Sequence, residues 1–169
     1  PAMQGARDLG ITAPLFLVGS CAAPSIIAEA GPEATEGRIF NIEGRLEAAE
    51  DSTDAVDGAL YTLAVLKYGD GLNPVGAGTV SFRGLMNLYA AMTRIGAEDL
   101  SSATIIDAFR SSEDVPSFNG YPYTCATPQV PGLPSLCAPE QVLVEQRDGS
   151  LHEVSDGWVP VPEILAEHG

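Results

Sequence analysis

The chain has 169 residues, 45% of them apolar, enough to bury a core as one ordinary domain or as pieces of two. Its 8 basic and 23 acidic residues give a net charge of -15, which repels phosphate backbones and anionic lipid surfaces and argues against nucleic acid as a partner. No apolar run approaches the roughly 20 residues of a membrane span, and no basic, then apolar, leader pattern opens the chain.

The opening PAMQGARDLG reads as the inside of a helix that ends at Gly10, with Met3, Ala6, Leu9 and Ile11 leaving no room for a strand before them. Further chain upstream is therefore expected. APLFLVGS follows as a continuous apolar run, the pattern of a strand buried on both faces of a parallel sheet. PSIIAEAG predicts a helix with Pro24 in its first turn and Gly31 at its cap, and GRIFNIEG a second strand. Strand, helix, strand at this spacing is a βαβ unit.

A stronger helix is expected from Ser52, its N-cap, with Asp54 and Asp57 in the early turns. Val56, Leu60, Leu63, Ala64 and Lys67 would share one face, and Gly69 would end it. GDGLNPVGAG is glycine-rich and lacks apolar periodicity, so it reads as a linker where the chain passes between two bodies. Val80 to Ile95 predicts the next helix, with Phe82, Leu85, Met86, Tyr89 and Met92 on one stripe that reads as core. LSSATIIDAFRSS predicts another, capped by Ser101 or Ser102 and burying Ile105, Ile106 and Phe109. Beyond Pro116, Val142 and Val144 alternate with Glu145 and Arg147, a DG follows at 148 and 149, and Leu151 and Val154 complete a β-hairpin pattern.

Signs of covalent chemistry are scarce. His152 and His168 have no Cys or His neighbour at a metal-ligand spacing, so no metal site is expected. VGSCAAP approaches a nucleophile elbow but lacks its second glycine, and neither histidine is placed to serve Ser20 or Cys21 as a base. Phosphate and dinucleotide fingerprints are missing, so no cofactor is expected. The acidic residues from Glu47 to Asp57 cluster at a helix start, where the dipole favours them. Glu43 stands apart, at the carboxyl end of an expected parallel strand, where open α/β sheets place ligand crevices.

Cys125 and Cys137 bracket eleven residues of proline-rich loop, with no C-x-x-C spacing for redox work. An exported chain would oxidise such a pair to hold the loop, which stabilises by about 3 kcal/mol in the chain-entropy model. A Cys125–Cys137 disulfide is expected. Cys21 is left over, either buried as a small apolar residue or paired outside this chain.

The series ARDLGITAPLFLVGSCAAPSIIAEAGPEATEGRIFNIEG, SFRGLMNLYAAMTRIGAEDLSSATIIDAFRSS and YTCATPQVPGLPSLCAPEQVLVEQRDGSLHEVSDGW resembles the C-terminal half of type I solute-binding proteins of ABC importers, in the branched-chain amino-acid-binding group. The resemblance covers nearly the whole chain and lies in the order and spacing of motifs, G-x-x-A-x-E-G before a strand being the most telling. It implies a partial α/β fold of the periplasmic-binding-protein type I, with parallel sheets flanked by helices and a C-terminal β-hairpin. Residues 1–75 would form the latter part of the second lobe, 76–122 a return segment of the first, and 123–169 the third crossover with its disulfide loop and hairpin. The opening lobe of the family, and the first strands of the second, have no counterpart in these residues. Residues 69–78 would act as a hinge region.

Carried over by position, the ligand-facing residues would be Ser20 and Cys21, beside amides at a helix start that suit a carboxylate, and Asn41 with Glu43, whose carboxylate suits an ammonium. Phe82 would cover an apolar side chain. The family's work is non-enzymatic: capture of a small amino acid or amide-like solute by closure of two lobes, for delivery to the membrane permease of an ABC importer. Its members are extracellular or periplasmic, and lipid anchoring through the missing N-terminus is expected. The same fold can instead serve a sensor that signals to a protein partner.

Overall fold

Leu17, Phe40 and Val144 stand side by side across three strands, and that alignment organises the larger sheet. The structure is a computed structural model that describes residues 1–42, 44, 53–72, 74, 78–96 and 100–168. Strand β1 (Phe16–Val18) runs parallel to β2 (Ile39–Ile42), placing Leu17 opposite Phe40. β5 (Val142–Arg147) pairs antiparallel on the other side of β2, placing Val144 opposite Phe40 and Val142 opposite Ile42. β6 (Ser150–Glu153) closes the order β1-β2-β5-β6. Because side chains alternate along a strand, this register gathers Leu17, Phe40, Ile42, Val142 and Val144 on one face.

Three short helices cover that face: α1 (Ala2–Asp8), α2 (Pro24–Ala30) and α3 (Pro32–Thr35). Met3, Ala30 and Ala34 pack with Phe40, Val142 and Val144 into a core, and Phe40, Val142 and Val144 have no exposed surface. Small alanines at the helix positions let the helices approach the sheet closely. Pro24 and Pro32 each open a helix, where a missing N–H costs nothing. Gly31 between them takes φ 83°, a conformation that lets the chain turn from one helix into the next.

The βαβ expectation holds in the parallel β1–β2 pair, and the helix-initiating role of Pro24 holds too. The expectation of a first strand buried on both faces does not hold. Phe16 and Val18 are 62% and 61% exposed, because all three covering helices lie on the Leu17 side. The β5–β6 hairpin forms at the Asp148-Gly149 turn, both residues at positive φ (52° and 80°), the two-residue geometry that matches strand twist.

The remaining elements are α4 (Thr53–Tyr68), α5 (Gly78–Ile95), α6 (Ser102–Arg110), the hairpin β3 (Val115–Ser117) with β4 (Gly120–Tyr123), and a terminal α7 (Val161–His168). Ser101 caps α6, its hydroxyl oxygen accepting from the Thr104 amide at 3.2 Å. The expected cap Ser52 lies outside the described residues, as does much of the 69–78 linker. On α4 the face that packs is not the expected one: Tyr61 is buried, whereas Val56 and Leu63 are each 64% exposed. Apolar residues surround α4, so its periodicity did not single out one side. On α5, Ala91 is fully buried while Leu85 and Tyr89 of the expected stripe are exposed; on α6, Ile106 is exposed as well.

Cys125 and Cys137 form the expected disulfide, with their α-carbons 4.7 Å apart. The Thr124 amide donates to the Cys137 carbonyl at 2.9 Å beside it, and Cys125 donates to the carbonyl of buried Ser112 at 2.9 Å. The proline-rich loop thus leaves the body and returns at one clasp, with Val130 buried as its anchor.

Candidate functional site

The site begins where β1 ends. Chain polarity in the parallel β1–β2 pair sends both carboxyl ends to one edge, the position at which α/β sheets hold ligands. Gly19 follows β1 against β2 so closely that a β-carbon there would lie 2.5 Å from the Asn41 carbonyl oxygen. Only glycine fits that approach, and it brings the next residues, Ser20 and Cys21, beside Asn41.

Ser20 and Cys21 occupy a 3-10 turn, Gly19–Ala22, and not the first turn of α2, which starts at Pro24. The expected helix-start amides are therefore not at these two residues: Ala23 takes an extended ψ of 136° and separates turn from helix. Ser20 is exposed at this edge. Cys21 is a free thiol within this chain, half-buried and packed against the core around Phe40.

Asn41 is half-buried, and its amide donates to the Gln141 side-chain oxygen at 2.8 Å. Gln141 is itself fixed twice more: its own amide donates to the Glu140 carbonyl at 3.0 Å, and its backbone carbonyl accepts from the Val159 amide at 2.8 Å. Glu43 lies outside the described residues. Gly44, just beyond it, abuts the tip of the β3–β4 hairpin, where an added β-carbon would be 2.9 Å from the Asn119 carbonyl oxygen.

That tip is tied to two helices. Asp57 of α4 accepts from the Asn119 amide at 2.8 Å, and Arg83 of α5 donates to the Asn119 carbonyl at 3.4 Å. Asn87, one turn further along α5, accepts from the Phe118 amide at 2.8 Å and donates to the Ser117 hydroxyl at 2.9 Å. Phe82 sits in an aromatic cluster, its ring edge-on to Tyr61 at 5.3 Å and tilted to Phe118 at 5.4 Å. The structure thus brings Ser20, Cys21 and Asn41 together and places Phe82 in a neighbouring cluster, joined to them through the contact between Gly44 and Asn119.

A cavity of about 390 Å³ opens between α5, the β3–β4 hairpin and the disulfide clasp. Arg83, Asn87, Tyr121, Glu140 and Gln141 line it, along with both disulfide cysteines. Burial pushes the Glu140 carboxyl above the usual carboxylate range, and nearby Glu163 adds to the shift. Of these lining residues only the two cysteines were singled out from sequence, because Glu140 and Gln141 precede a strand in a proline-rich stretch with no motif. Among the described residues no cluster of three metal-ligating side chains occurs, and no helix is long and apolar enough to cross a membrane.

A mixed α/β sheet with this crossover order and this hairpin is the fold of part of a type I periplasmic binding protein. Solved structures that share it include the following two. A leucine-binding protein of Thermotoga maritima matches 91% of this chain and 40% of its own, at 22% identity and a TM-score of 0.65. A branched-chain amino acid ABC transporter protein of Thermus thermophilus with bound valine matches 99% of this chain and 45% of its own, at 19% identity and a TM-score of 0.64. The chain therefore spans less than half the length of these neighbours. No family profile and no curated protein sequence matches it.

Proposed function

We propose that the chain is part of a solute-binding protein that captures a small amino acid or amide-like molecule between two lobes and hands it to the permease of an ABC importer, without covalent chemistry. The observation that supports this reading is positional. Ser20, Cys21 and Asn41 meet at the carboxyl ends of β1 and β2, in a fold shared with a leucine-binding protein and with a transporter protein solved with bound valine.

In this reading residues 1–75 belong to the second lobe, 76–122 return to the first, and 123–169 make the third crossover and terminal hairpin. The exposed apolar side chains of α4 and α5, Leu63, Leu66, Leu85 and Tyr89 among them, are the surface that the amino-terminal half would cover. Ser20 and Asn41 would hold the polar end of the solute, Glu43 its ammonium, and Phe82 its apolar side. The working compartment would be extracellular or periplasmic, where the Cys125–Cys137 bond persists, with attachment to the membrane by a lipid at the amino terminus.

Closure does the physical work: contacts from both lobes stabilise the shut form over the open one, by no more than the difference in affinity between them. Thermal denaturation of the intact protein against a panel of amino acids, amides and urea-like compounds tests the reading. At least one compound should raise the melting temperature in a concentration-dependent way, and a panel without effect would remove the support for a solute-binding role.

A further inference from the structure

A chain of amides sets the polarity of the sheet edge. A backbone carbonyl can only accept, so the Glu140 carbonyl, 3.0 Å from the Gln141 side chain, takes the Gln141 amide nitrogen as its partner. The Gln141 side-chain oxygen is then what Asn41 meets, at 2.8 Å. That oxygen also only accepts, so Asn41 must present its nitrogen. Turning over Gln141 would set its oxygen against the Glu140 carbonyl, and turning over Asn41 would set oxygen against oxygen at the other contact. The Gln141 main chain is itself held, its carbonyl accepting from the Val159 amide at 2.8 Å.

What this leaves at Asn41 is the side-chain oxygen. Among the described residues nothing donates to it, and Asn41 is only half-buried. The surroundings favour a donor there. No cation stands among Ser20, Cys21, Asn41 and Gln141. The amides that open α2 are set apart from Ser20 and Cys21 by extended Ala23, and the chain carries a net charge of -15. A carboxylate brought to Asn41 would face a carbonyl oxygen in a negative field, whereas an N–H or O–H would complete that oxygen's hydrogen bonding.

We propose that Gln141 is a positioning residue for solute recognition: it locks the Asn41 amide so that the Asn41 side-chain oxygen accepts an N–H or O–H of the solute. This role rests on the solute-binding reading for the existence of a small ligand, and it deepens that reading by fixing which kind of group the sheet edge takes. Asn41 makes the contact, Gln141 acts through it, and the Glu140 main-chain carbonyl sets the direction of both. An amide fixed in advance lowers the ordering cost of binding. A solute without the donor is rejected, because the acceptor is left unpaired.

Propionamide and propionate are matched probes, alike in shape, one with an amide nitrogen where the other has a charged oxygen. In calorimetric titration of the intact protein, wild type should bind propionamide about tenfold or more tightly than propionate. In Gln141→Met, which cannot hold the Asn41 nitrogen, that preference should collapse, with circular dichroism showing the variant folded. A merely structural role for Gln141 would weaken both probes alike and leave their ratio unchanged, and that result would overturn the proposal. Heteronuclear NMR of labelled wild type supplies a measurement that needs no variant. An Asn41 side-chain N–H should be protected from solvent exchange and stay protected when propionamide is added, because it remains on Gln141. Free exchange before addition, or protection lost on addition, would overturn the proposal, as would propionate bound as tightly as propionamide. If neither probe binds while another compound of the wider panel raises the melting temperature, the donor assignment falls and solute binding stands. If no compound does, both fall.

Discussion

Asn41 donates its side-chain amide to Gln141 across 2.8 Å, although the two residues are 100 positions apart. The bond ties the end of β2 to the residue before β5, and the Gln141 carbonyl extends the tie to Val159. One half-buried polar pair therefore joins the parallel β1–β2 unit, the returning hairpin and the chain beyond it. Replacing Asn41 by Ala should leave the half-buried Gln141 oxygen without this donor and cost about 1–2 kcal/mol, read from denaturant unfolding. A variant as stable as wild type would show that water replaces the bond without loss.

Gly19 and Gly5 make a matched pair of tests. Gly19→Ala places a β-carbon 2.5 Å from the Asn41 carbonyl oxygen, so β1 must move away from β2, at a cost of about 1–3 kcal/mol. Gly5→Ala, in α1 with open space around the new carbon, should be neutral or stabilise by up to about 1 kcal/mol. Thermal denaturation of both variants should separate them by several degrees, in that order.

Much of this arrangement was legible in the residues, and the failures have physical causes. Pro24 and Gly31 punctuate the first crossover, and Asp148-Gly149 announces its turn, because each local rule there agrees with the fold. The buried faces of α4 and α5 were misjudged because apolar side chains surround α4 and because Ala91, small and unremarkable in sequence, is what α5 buries. The cavity was not legible at all. It depends on Arg83 and Glu140 lining one cavity from different segments, and no local pattern encodes a juxtaposition of residues 57 positions apart.

The clasp is open to a chemical test. Iodoacetamide applied to native, unreduced protein should leave Cys125 and Cys137 unmodified, since they are bonded to each other. Reduction should expose both and lower stability by about 3 kcal/mol, the entropy returned to a loop of this length. Alkylation of both cysteines without reduction would contradict the bond and with it the argument for an oxidising compartment.

Glu140 gives a pH signature. Its folded-state carboxyl binds a proton more readily than in the unfolded chain, so the folded form holds more protons just above the ordinary carboxylate range. Stability contributed by this group is therefore present at low pH and is lost as pH rises through the raised value. As pH rises through and beyond the ordinary carboxylate range, the melting temperature of wild type should fall relative to that of Glu140→Gln, which cannot titrate. Parallel curves would show that the carboxyl is solvated as freely as in the unfolded chain.

The central claim is that a small solute is captured by closure of two bodies, and X-ray scattering from the intact protein in solution tests it most directly. Adding a solute that raises the melting temperature should shrink the radius of gyration at unchanged molecular mass, because the open form is depleted. A scattering profile that stays the same at saturating solute would contradict closure and return the chain to the status of a fold without this mechanism.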